Sequence, residues 1–169
     1  LSISSLEWII SFCRKTQIPL LVEPVSVAKA AKLSSLDLNG IYMITPNEDE
    51  LSAVTGLDQS AVNDAIQTLL EQGISSCWLR KGVEGSILFK KEGSTHFPAI
   101  PLRVTDSTGA GDAALAGWVA ARYHGMNEEN CIKAGHVMAH EVLQVPGAVI
   151  PNITYQLLKE LLLKYYPNE

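Results

Sequence analysis

The sequence predicts an α/β fold, a mostly parallel sheet with helices on both faces. Two observations carry this. Short, continuous apolar runs alternate with stretches whose apolar residues recur at helical spacing, as strands buried on both sides by packed helices require. The 169 residues suit one compact core, and no internal repeat, linker or low-complexity segment interrupts them.

In chain order, Leu6, Ile9, Ile10 and Cys13 mark a helix over 4–17. Ile18–Val22 follows as a short apolar strand, the turn 23–26 ends it, and a helix over 26–33 comes next. Ile41–Ile44 reads as a buried strand ending at Thr45-Pro46-Asn47, and the acidic residues 48–50 open a helix. A further helix spans 60–72. Ser76–Leu79 is a third strand, stopped by Gly82 and Gly85. Ile87–Phe89 and Thr95–Phe97 form a hairpin around Glu92-Gly93. Gly109 and Gly111 open a long helix to about 123, and helices over 127–143 and 153–166 complete the chain. In such sheets ligands bind where strands end at their carboxyl side, which singles out the loops 23–29, 45–50, 80–85 and 104–112.

Composition excludes some classes of function. With 13 basic and 18 acidic residues the formal net charge is −5, and no clustered basic face is present, so no nucleic-acid partner is expected. Cys13, Cys77 and Cys131 lie far apart without a Cys-x-x-Cys pair, which predicts reduced thiols in a cytoplasmic protein. No apolar run nears the ~20 residues of a membrane span, and the first residues lack a signal-peptide pattern. The chain starts at Leu1 and goes directly into a helix, from which a missing upstream part is expected.

The strongest motif is Asp106-Ser107-Thr108-Gly109-Ala110-Gly111-Asp112 at the start of a helix. Small residues there let backbone approach a ligand closely, and the unpaired N–H groups of a helix start suit a phosphate. A carboxylate in that first turn can take the proton of an attacking hydroxyl. Neither a P-loop nor a Gly-x-Gly-x-x-Gly motif is present. Asn47 and Glu50 share a helix face three residues apart, a spacing that serves a capping box equally well. Lys81-Gly82-Val83-Glu84-Gly85 is a strand-end turn that an ordinary hairpin would also explain. His136 and His140 stand at metal-ligand spacing, but without a following Glu or a third ligand, so packing or ligand contact is favoured over metal.

The heptad 106–112 resembles the signature of the PfkB carbohydrate kinases. The resemblance covers all 169 residues, but as the second half of a ribokinase-like fold whose N-terminal half and β-lid are missing. It implies a kinase that uses ATP and magnesium. Asp112 would be the catalytic base, with Gly109, Ala110 and Gly111 as anion hole and Thr108 beside the nucleotide. Asn47 and Glu50 match the family's Asn-x-x-Glu motif, which orders magnesium. Lys81, Gly82 and Gly85 would line the nucleotide, although Lys81 departs from the small polar residue common there. His136 and Gly147 fall in the stretch that flanks adenine and, in many members, a monovalent cation such as K+; Asp106 would contribute to that cation site or serve as a loop acceptor.

Glu23-Pro24-Val25-Ser26-Val27-Ala28-Lys29, followed by Ile44–Leu51, is more similar to pseudouridine kinases than to ribokinases or adenosine kinases. Ser26 and Lys29 are therefore the substrate-linked candidates, with Glu23 standing where many relatives have Asp. The expected acceptor is pseudouridine, or else another sugar or nucleoside such as ribose. Fusion to a glycosidase domain in the parent protein is compatible with the resemblance. Without the lid the attacking hydroxyl is not held in line, so this chain alone is expected to turn over little. The exposed surface left by the missing half favours self-association, including a homodimer. A non-catalytic nucleotide-binding module is the reading from another class.

Overall fold

The computed structural model describes residues 1–102, 107–145, 147 and 149–167. It divides into two compact units, Leu1–His96 and Phe97–Glu169. Among the described residues no helix is long and apolar enough to cross a membrane.

The first unit begins with α1 (Ile3–Thr16), capped by Ser2, whose hydroxyl accepts from the Ser5 N–H, and carrying Arg14 and Lys15 in its last turn where the helix dipole favours them. β1 (Leu21–Val22), α2 (Val27–Ala30) and β2 (Met43–Ile44) follow. Then come α3 (Glu48–Thr55), α4 (Val62–Glu71), β3 (Ser76–Arg80), β4 (Ser86–Lys90) and β5 (Gly93–Phe97). The sheet order is β1-β2-β3-β4-β5, with β1, β2 and β3 parallel and β4 antiparallel to β3. The expected helices and strands are present with small changes at their ends. β1 is shorter than its apolar run because Pro19 offers no N–H, although the Leu20 carbonyl still accepts from Tyr42 and Met43. α2 stops at Ala30, and a 3-10 turn at Leu33–Ser35 takes over.

Register explains why the strands lack polar alternation. Ile44 pairs with Cys77 and Met43 with Ser76. Ile44, Cys77 and Leu79 join Ile10, Leu38, Ile41, Leu51, Ile66 and Leu69 in one apolar cluster. Successive residues of a strand point to opposite faces, so Trp78 lies on the other side, and it too is 1% exposed. Its indole N–H donates to the Ser86 hydroxyl at 2.7 Å, which allows the ring to be buried without an unpaired donor.

The turn from α4 into β3 depends on one glycine. Gly73 has φ +95°, and a Cβ there would stand 2.5 Å from Asn39 Oδ1. Gly73→Ala is therefore expected to cost about 1–2 kcal/mol from the left-handed backbone, plus the displacement of Asn39. Urea unfolding checks this; an unchanged midpoint would refute it.

The second unit is helical. α5 (Ala110–Tyr123), α6 (Glu128–Val142) and α7 (Tyr155–Tyr165) pack on one another, with α5 against α6 the most extensive pairing. Asn127 caps α6 by accepting from the Asn130 N–H, and Thr154 caps α7 by accepting from Leu157. Trp118 and Ala121 of α5 and Ile132, Ala134 and Val137 of α6 are buried between these helices and their neighbours. Gly117 allows the close approach: a Cβ on it would meet the Ala134 carbonyl oxygen at 2.5 Å.

Candidate functional site

In the first unit the carboxyl ends of the three parallel strands bring charged side chains together. Glu23 follows β1, Thr45-Pro46-Asn47 follows β2, and Arg80 is the last residue of β3. The backbone ties them first: the Arg80 N–H donates to the Pro46 carbonyl at 2.9 Å, and Asn47 bridges to Arg80 as an isolated parallel pair. The Arg80 guanidinium then donates through Nη2 to Glu23 Oε1 and, at 2.6 Å, to the Thr45 carbonyl. The Thr45 hydroxyl donates to Glu23 Oε2 at 2.5 Å.

Asn47 and Glu50 form a complete capping box on α3. The Asn47 side chain accepts from the Glu50 N–H at 2.8 Å, and Glu50 Oε2 accepts from the Asn47 N–H at 3.0 Å. Glu50 is buried and Asn47 exposed, so the box presents the amide outward and keeps the carboxylate inside. Arg80 Nη2 lies 3.9 Å from Glu50 Oε2, near enough for attraction but too far for a hydrogen bond. Lys81, the next residue, bonds Glu84 at 2.8 Å and lies 3.5 Å from Glu48. The hydrogen bond to Glu84 leads the effects that raise its pKa. Gly82 and Gly85 have φ +56° and +93° in the turn that joins β3 to antiparallel β4, so the hairpin accounts for both glycines.

The loop before α2 is conformationally unusual. Val25 takes φ +70°, a left-handed backbone that costs a β-branched residue about 1–3 kcal/mol and persists only where its surroundings enforce it. Ser26 precedes α2 but makes no side-chain capping bond, and Lys29 is exposed.

In the second unit Gly109 stands at the N-terminus of α5 with φ +81°. The Ala110 N–H is used by the Ser107 carbonyl, and the Gly109 carbonyl accepts from Ala113. No side chain among the described residues caps this helix. Among the described residues the N–H groups of Gly111 and Asp112 find no acceptor, so two donors and the positive end of the dipole face outward. Asp112 is exposed in that first turn, at the head of an open apolar groove that runs past Leu115, Ala116 and Val119 to Tyr123. Thr108 lies in the turn just before it, and Asp106 falls outside the described residues.

His136 and His140 each have an aromatic neighbour in the structure. His136 stands edge-on to Phe97, with ring centroids 6.3 Å apart. The His140 Nδ1 is 2.9 Å from Gln144 Nε2, and its ring packs on Tyr165. Among the described residues no three His, Cys, Asp or Glu side chains cluster as a metal cage. Gly147 is exposed at φ +87° in the segment after α6. Cys77 and Cys131 are buried, and burial pushes both thiols up, Cys131 to about 11, away from reactive thiolate.

The sequence motifs name Asn47, Glu50 and Asp112 as candidates and give no role to Arg80 and Thr45, which the structure brings together with Glu23. The available signal was positional: three polar side chains stand at the carboxyl ends of three neighbouring apolar strands.

Residues 1–154 match the family described as pfkB family carbohydrate kinase. The 1-phosphofructokinase of Haloferax volcanii is 31% identical over 131 residues, which are 76% of this chain and 43% of that protein. A 2-dehydro-3-deoxygluconokinase of Escherichia coli is 35% identical over 120 residues, 69% of this chain and 38% of that one. Arabidopsis thaliana ribokinase, solved with ribose and ATP, superimposes with a TM-score of 0.77 at 24% identity, covering 95% of this chain and 53% of that one. The chain thus spans less than half the length of these two curated relatives and about half of that structure.

Proposed function

The chain belongs to the pfkB family of carbohydrate kinases, and on that premise we propose that it is the nucleotide-handling half of an enzyme that moves a phosphoryl group from ATP to a sugar hydroxyl, with pseudouridine as acceptor and pseudouridine 5′-phosphate as product. One observation carries the reaction type. α5 starts at a left-handed Gly109, leaves the N–H groups of Gly111 and Asp112 without acceptors among the described residues, and presents the Asp112 carboxylate in the same turn. Donors and dipole suit an anionic phosphoryl group, and the carboxylate suits the hydroxyl that attacks it.

The roles follow from what each group can do. Gly109, Ala110 and Gly111 form the proposed anion hole for the charge that grows on the transferred phosphoryl oxygens; the Ala110 N–H is held by Ser107, so the Gly111 N–H, joined by that of Asp112, is the donor ready for it. Asp112 takes the proton of the attacking hydroxyl as its oxygen bonds to phosphorus. Magnesium is held in such reactions by one or two carboxylates together with the nucleotide's phosphates, so the lack of a three-ligand cage among the described residues fits it. Glu50 and the exposed amide of Asn47 would order it: the capping box uses Glu50 Oε2 and one lone pair of Asn47 Oδ1, and leaves Glu50 Oε1 and the second lone pair of Asn47 Oδ1. When bound, the metal neutralises charge on the phosphates. Lys81 is engaged with Glu48 and Glu84, so a role toward phosphate requires it to leave them. Thr108, Gly82, Gly85, His136 and Gly147 remain the nucleotide-side residues of this proposal, and a K+ site that includes Asp106 would lie beyond the described residues.

Pseudouridine rests on Glu23–Lys29 and its resemblance to pseudouridine kinases, with Ser26 and Lys29 as the substrate-linked residues. A second acceptor class is favoured by the relatives, whose names identify kinases of fructose 1-phosphate chemistry and of 2-dehydro-3-deoxygluconate. The test is ADP release by the full-length protein with ATP and magnesium, offered pseudouridine, uridine, ribose, adenosine, fructose 1-phosphate or 2-dehydro-3-deoxygluconate. Release with pseudouridine and not with uridine is the expected result. Release with a sugar acid or sugar phosphate instead would keep the kinase and replace the acceptor. Silence with all six, despite ATP binding, would favour a nucleotide-binding module.

A further inference from the structure

We infer that Glu23 is a positioning residue: it holds the Arg80 guanidinium so that Arg80 cannot close on Glu50, and thereby keeps the Glu50 carboxylate available to the metal. This rests on the magnesium role proposed above for Glu50 and assigns what controls it.

Both oxygens of Glu23 are used within the chain. Oε1 accepts from Arg80, and Oε2 accepts from the Thr45 hydroxyl at 2.5 Å. Each oxygen of Glu23 thus already accepts one hydrogen bond within the chain, which favours a positioning role over the ligand role its place at the end of β1 would suggest. Arg80 is shared unequally between two acids. It bonds Glu23 directly but stands 3.9 Å from Glu50, whose contacting oxygen already accepts the Asn47 N–H. The side chains of Arg80, Glu23 and Glu50 are only 17%, 13% and 5% exposed, so their charges are poorly screened and the guanidinium needs a partner. If Glu23 were absent, Glu50 would be the nearest remaining carboxylate, and a short movement of a flexible side chain would convert 3.9 Å into a direct bond. The left-handed Val25, two residues after Glu23, agrees with a loop held in place by the bonds of Glu23 rather than by its own backbone preference.

The distinguishing consequence is rescue by a second loss. In the full-length protein, Glu23→Ala should raise the magnesium concentration for half-maximal activity about tenfold, the order expected when a unit positive charge is brought against a partly buried carboxylate. Glu23→Ala/Arg80→Met removes the intruding cation with its partner and should return most of that requirement. The readout independent of turnover is melting temperature with a non-hydrolysable ATP analogue: the extra rise produced by adding magnesium should shrink in Glu23→Ala and recover in the double variant. A Glu23→Ala protein that melts lower but keeps its full magnesium increment would overturn the inference, because Glu23 would then be a structural clamp alone. A double variant as impaired as the single would overturn it as well. If the wild type itself shows no magnesium increment, both this inference and the proposed metal role of Glu50 fall; a normal wild-type increment with an unaffected Glu23→Ala removes only the inference.

Discussion

Asp112→Asn in the full-length protein is expected to lower turnover by about two to four orders of magnitude, the usual worth of a positioned general base. The substitution keeps shape and polarity and removes the basic oxygen, so ATP affinity should change much less than kcat. Stability should hardly respond. Asp112 is exposed in the first turn of α5, where a carboxylate's interaction with the helix dipole is worth only about 0.3–1 kcal/mol. ADP release under saturating ATP, with a melting curve on the same sample, separates the two effects. A variant that retains a large part of wild-type turnover would show that Asp112 is a helix-start charge and not the base.

Gly117→Val should have the largest effect on folding of the second unit. The added Cβ would come 2.5 Å from the Ala134 carbonyl oxygen, 2.7 Å from Met138 Cγ and 3.0 Å from the Ala134 carbonyl carbon. Met138 can swing aside, but the Ala134 backbone is part of α6 and cannot move without parting the helices. Gly117→Ala gives a useful comparison, because two effects oppose. Alanine gains about 1 kcal/mol of helix propensity over glycine, whereas overpacking costs about 1–3 kcal/mol. The backbone clash decides for destabilisation. Valine adds two methyl groups and β-branching to the same contact, so a loss of more than about 3 kcal/mol is expected, or a fall in melting temperature of roughly 10 °C. Circular dichroism against temperature tests it; a Gly117→Ala protein that melts higher than wild type would show that α5 and α6 can separate at little cost.

Much of the fold was legible because the local signals agree with the tertiary outcome. The periodic apolar residues of α1, the acidic residues 48–50 that open α3, and the Glu92-Gly93 turn all predict the element in which they are found. Short strands were less well bounded, since β1 and β2 each keep two residues of a longer apolar run and the hydrogen-bonded partner, not the run, sets the ends. The motif residues were legible for a different reason. Glycines at a helix start and an acid in its first turn have few explanations in an α/β chain, and the family match over residues 1–154 supports the kinase class that they implied. The finer assignment to pseudouridine rests on the short segment from Glu23 to Lys29.

The sequence by itself determined the α/β class, the order of helices and strands, the family and the position of the glycine-rich start of α5, because each is written in residues close together along the chain. Tertiary structure alone decided that Arg80 meets Glu23 and Thr45, that the capping box turns Glu50 inward beside that guanidinium, and that Gly117 lies against Ala134. Arg80 and Glu23 are 57 residues apart. Their pairing follows from the parallel order of β1, β2 and β3, which sets the carboxyl ends side by side, and no local pattern records which strand will lie next to which.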